Sequence, residues 1–138
     1  MTKLSESHER ALSSSLYIIE DNLQRIKALL KQTGENEQTI TYRRVGKISP
    51  ESKCKALEAI VEMLNEIKQI KETFELETEK INLRAEISAA LDEVWIILVD
   101  LAPDRLKAYG ELSETEKALI ASYASSLADK LKKIQESL

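Results

Sequence analysis

A chain of 138 residues, 43% apolar and 32% charged, has the length for a sizeable core and the balance of a soluble globular protein. Its formal charge of −4 argues against a general nucleic-acid binder or a protein held on anionic membrane, and leaves room for a local basic site. Cys54 is the only cysteine, which excludes an intrachain disulfide and fits a reducing, cytoplasmic setting.

Three glycines and two prolines are few for this length, and Ala, Glu, Lys and Leu abound, so helix is expected throughout. The first ten residues carry no apolar h-region, and no signal peptide is expected. A first helix is expected over 6–32. Leu12, Leu16, Ile19, Leu23, Ile26 and Leu30 alternate steps of four and three, the pattern of a heptad seam. Gly34 is a natural stop.

Residues 35–48 break that pattern. Thr, Ile, Tyr and Val in partial alternation predict an extended connection, longer than the roughly 2–8 residues usual in a bundle. Ser49 and Pro50 then open a second helix expected over 50–75. Its apolar face is broad: Leu57, Ile60, Val61, Met63, Leu64, Ile67, Ile70 and Phe74. Cys54 falls in step with Leu57, Val61 and Leu64 and reads as a small buried hydrophobe.

No glycine or proline separates Pro50 from Pro103. A break near Phe74 to Thr78, with Thr78 as a cap, divides this run into two rods of similar length. A third helix is then expected over 78–102. It holds the most apolar run, Val94 to Val99, and the only tryptophan. Leu83, Ile87, Ala90, Leu91, Val94, Leu98 and Leu101 share one face, while Trp95, Ile96 and Val99 lie off it. Charged residues inside the stretch 83–102, among them Asp92 and Glu93, make membrane insertion costly. After Pro103 and a short turn closed by Gly110, the capping box Ser113-Glu-Thr-Glu116 opens a last helix over 114–137. Ile120, Ala124, Leu127, Leu131, Ile134 and Leu138 form its apolar line. No internal repeat is evident.

The expected fold is all-α: one domain over 1–138, an antiparallel up-down-up-down four-helix bundle with a long connection between its first two helices. The alternative is one continuous helix through the second and third segments, completing its bundle as a dimer.

Catalytic chemistry finds little footing. His8, the only histidine, sits in a first helical turn and reads as solvated. Glu72-Thr-Phe-Glu75 has the spacing of metal-binding helices, but no Glu-x-x-Asp pair follows as all-α pyrophosphohydrolases would require. Phosphate loops, nucleophile elbows and Cys/His clusters are absent from the sequence. No catalytic residue, metal or cofactor is assigned.

Two features stand out. Tyr42, Arg43, Arg44 and Lys47 gather three cations and an aromatic ring on one loop of an acidic protein, a candidate anion site. Trp95, Ile96 and Val99 form the candidate protein interface. The favoured expectation is a small non-catalytic cytoplasmic interaction or regulatory bundle, working with a protein partner or as a homodimer. An anion- or nucleic-acid-binding accessory using the 42–47 loop comes second. A metal-dependent hydrolase using helix carboxylates comes third.

Overall fold

Four short polar side chains begin the four long helices of the computed structural model, which describes residues 3–32 and 39–138. The helices are α1 (Glu6–Leu30), α2 (Pro50–Thr73), α3 (Leu83–Asp100) and α5 (Glu114–Ser137); α4 (Pro103–Leu106) and a 3-10 turn at Lys107–Tyr109 lie between the last two. Ser5, Ser49, Asn82 and Ser113 have extended backbone at the N-caps, and each side chain accepts from the N–H three residues on. The chain is all-helical among the described residues. Of the extended connection expected at 35–48, residues 35–38 lie outside them.

α2 stops for a reason that side-chain type alone conceals. Glu75 takes a left-handed backbone, φ 51°. Its N–H donates to the Glu72 carbonyl at 3.3 Å, and the Leu76 N–H reaches back to the Lys71 carbonyl at 2.9 Å. That pair of bonds is a Schellman motif, and Leu76 is buried behind it. Thr78 contacts the Lys71 ammonium instead of capping a helix. α3 starts later than expected, where the Asn82 side chain accepts from the Ala85 N–H at 3.1 Å. One continuous helix through this region is therefore ruled out.

The chain divides into two compact units, Met1–Glu79 and Lys80–Leu138. In the first, α1 packs on α2. Leu23 and Leu30 meet Ile60, with Ala56, Leu57, Leu64 and Ile67 against them. Each buried leucine or isoleucine of this kind contributes about 2 kcal/mol. Cys54 is exposed, contrary to its expected burial. It lies about a third of a turn round α2 from Ile60, off the covered line. In the second unit α3 packs on α5, and α4 also touches α5. Leu131 is its buried residue.

The two units share one register. Lys53, Ala56, Ile60, Leu64 and Ile67 are among the covered positions of α2; Lys117, Ile120, Ala124, Ala128 and Leu131 are those of α5. Counted from the N-caps Ser49 and Ser113, the steps coincide. Leu12, Leu16 and Leu23 on α1 have the spacing of Ile87, Leu91 and Leu98 on α3. The match is one of burial more than of residue identity, which is why reading for repeats misses it.

A non-glycine residue in the left-handed region carries a strain of about 1 kcal/mol. Glu75→Gly is expected to raise stability by up to about 1 kcal/mol in urea denaturation. A loss of stability would mean that the Glu75 side chain contributes more than its backbone costs.

Candidate functional site

The basic loop follows α1 and leads into α2, so its position depends on two anchors. Thr39 ties back to Tyr42: its N–H and hydroxyl both donate to the Tyr42 carbonyl, at 2.8 and 3.0 Å. At the other end Ser49 accepts from the Ser52 N–H at 3.2 Å and fixes the helix start. Gly46, φ 118°, supplies a turn that an L side chain resists.

Between these anchors lies a cleft of about 790 Å³. Leu29, Leu30, Val45 and Ile48 give it apolar walls, and Arg44, Lys47 and Lys53 give it cations. Ser49 and Pro50, at the positive end of the α2 dipole, also line it. Of the four expected anion-site residues, Arg44 and Lys47 line the cleft. Tyr42 and Arg43 are not among its lining. The Arg44 guanidinium lies 5.5 Å from the Tyr42 ring centroid, so Tyr42 offers its face to Arg44. Lys53 was missed in the sequence because it belongs to the next helix. One helical turn past the Ser49 cap, it lies on the covered line of α2.

On α3, Trp95, Ile96 and Val99 are 48%, 62% and 40% exposed. They are accompanied by Val94, Ile97 and Leu101, also exposed. On α5 the burial differs from the expected line. Ile120, Ala124, Ala128 and Leu131 turn inward, while Leu127, Ile134 and Leu138 are left outside with Leu119 and Tyr123. The covered line runs through the small residues Ala124 and Ala128. The heptad seam of α1 splits in the same way. Leu23 and Leu30 are buried, but Ile19 and Ile26 are exposed.

Other candidates dissolve into local structure. The His8 ring bonds its own N-cap, Ser5 Oγ to Nδ1, at 2.7 Å. Glu75 lies past the end of α2, so it does not extend a helical face with Glu72. Among the described residues no group of three or more His, Cys, Asp or Glu is placed to hold a metal ion. No helix among them is long and apolar enough to cross a membrane. Comparison with family models, curated proteins and solved structures returns no match.

One carboxyl is displaced from its ordinary range. The Ser113 N–H donates to Glu116 Oε1 at 3.0 Å, and this bond, with the serine side chain, holds Glu116 below the usual carboxylate value. A depressed carboxyl favours the fold above its unfolded pKa, and the effect is lost as the pH falls through the folded one. Acidification through and below about pH 4 should therefore loosen the start of α5. Glu116→Gln should remove that component from the pH profile of the denaturation midpoint. An unchanged profile in the variant would show that the box carries no charge-dependent stability.

Proposed function

We propose that this chain is a small, non-catalytic, cytoplasmic interaction protein. It works by laying apolar helix faces against a protein partner or a second copy of itself. The observation that supports this reading is the exposure of α3: six aliphatic or aromatic side chains between Val94 and Leu101 stand open, with Trp95 among them. Aromatic and aliphatic anchors of this kind supply most of the energy of protein interfaces. Two helix pairs laid face to face make an antiparallel up-down-up-down four-helix bundle, the arrangement that fits such surfaces best. Trp95, Ile96 and Val99 are one interface within this reading.

The test separates surface from core. Trp95→Lys should keep the full helical circular-dichroism signal and change stability by no more than about 0.5 kcal/mol, the range of exposed sites. Wild-type protein on a size-exclusion column with light scattering should elute with more than one copy per particle. Collapse of the helical signal in Trp95→Lys would place Trp95 in the core and sink the interface assigned to it.

The cleft beside Lys53 favours a second reading, an accessory that binds a phosphate or carboxylate through Arg44, Lys47 and Lys53, with Arg43 and Tyr42 at its margin. Cations converging at a helix N-terminus suit an anion. A short oligonucleotide serves as the probe. Its affinity should fall with salt, and Arg44→Ala with Lys53→Ala should flatten the salt dependence by about one unit of slope per cation removed. Salt-independent or undetectable binding by the wild type would end this reading.

A further inference from the structure

The exposed apolar residues of α3 lie on two sides of the line that packs on α5. At roughly 100° per residue, Trp95 and Val99 fall to one side of Ile87, Leu91 and Leu98, with Ile96 further round. Val94, Ile97 and Leu101 fall to the other. On α5 the exposed Tyr123, Leu127 and Ile134 likewise lie to one side of the covered Ala124, Ala128 and Leu131. In an antiparallel pair these two strips face the same way. They make one continuous apolar side, and it is not the side that carries Trp95.

We propose that this side binds a second copy of the chain. The inference rests on the interaction reading and names the partner. The twofold axis runs along the helices, so that α3 of each copy lies over α5 of the other and all four neighbours are antiparallel.

Area and charge favour this occupant. The strip side chains, with Leu83 and Leu119 at their ends, are on average about half exposed. They offer on the order of 900 Å² per copy, where a standard stable interface takes about 800 Å² per partner. The outer edge of the α3 strip is acidic, with Glu86 and Glu93 two turns apart on one line. On α5 Lys130 lies just outside the strip, with Lys133 further round, opposite the covered line, and Asp129 and Glu136 beyond it. The twofold brings the acidic edge of one copy to the basic edge of the other, with Glu86 within about one turn of the level of Lys130. The first helix pair offers no such match. At the positions equivalent to Glu86 and Glu93, α1 carries Ala11 and Ile18, and at those of Lys130 and Lys133, α2 carries Glu66 and Gln69.

The experiment is light scattering and sedimentation on the full chain from about 1 to 100 µM, a range that captures a dimer of micromolar affinity. The wild type should dimerise. Leu127→Lys should weaken the dimer at least about a hundredfold with helical signal retained, while Trp95→Lys should remain dimeric. Glu86→Lys and Lys130→Glu should each weaken the dimer about fivefold at low salt, and the two together should restore it. Both of these residues are exposed, so the charge exchange decides the matter even if Leu127→Lys fails to fold. A dimer indifferent to Leu127→Lys and to the charge exchange overturns the proposal. A dimer lost through Trp95→Lys alone also overturns it, but leaves the interaction reading standing. A wild type that is monomeric throughout also overturns it, and leaves the interaction reading with a different protein as the partner.

Discussion

Each long helix of this protein carries apolar residues over a wider arc than the long helix packed on it covers. A single helix-to-helix contact buries a line of side chains at steps of three and four. α1 has Ile19 and Ile26 left over beside that line, α2 has Val61 and Met63, α3 has six residues, and α5 has Leu119, Tyr123 and Leu127. The hydrophobic effect is proportional to area removed from water, so these flanks are stabilisation not yet realised. The sparse core of Leu23, Leu30, Ile60, Leu76 and Leu131 is the other side of that mismatch.

The mismatch is kept in place by the chain break at residues 74–82. A Schellman motif ends α2, Leu76 is buried against it, and Asn82 starts a new helix. Had helix continued through this region, the apolar arcs of α2 and α3 would lie along one rod. The break instead gives two units of like construction, each a helix pair with a serine cap on its second helix and the same covered steps behind it. Likeness of register is what makes the edge charges informative. Where the apolar pattern is shared, charge is left to distinguish one pair from another.

Local chemistry was legible in the sequence, and nonlocal packing was not. Ser49-Pro50 and Ser113-Glu-Thr-Glu116 announce helix starts because the capping bonds join residues three apart. The neighbourhood of the α2–α3 break was legible from rod lengths. Its chemistry was hidden, because a glutamate in a left-handed conformation has no compositional signature. Cys54 was placed inside because an apolar arc does not reveal which of its lines meets a neighbour. The same ambiguity put Leu127 and Ile134 on the covered line of α5, where the structure has Ala124 and Ala128. Two of the cleft's three cations, Arg44 and Lys47, were visible, since they lie close together in the chain. Lys53 joins them only once the helix is formed.

The pairing pattern also sets how the chain reaches its structure. α1 packs on the next long helix, and so does α3, across connections at 31–49 and 101–113. Such local contacts give a low contact order, and helical proteins of this kind fold in microseconds to milliseconds. Each pair can therefore close quickly after it leaves the ribosome, the first while the second is still being made. Its apolar flanks then meet the surrounding solution already presented on ordered helices. Any docking on them becomes a later step whose rate depends on concentration.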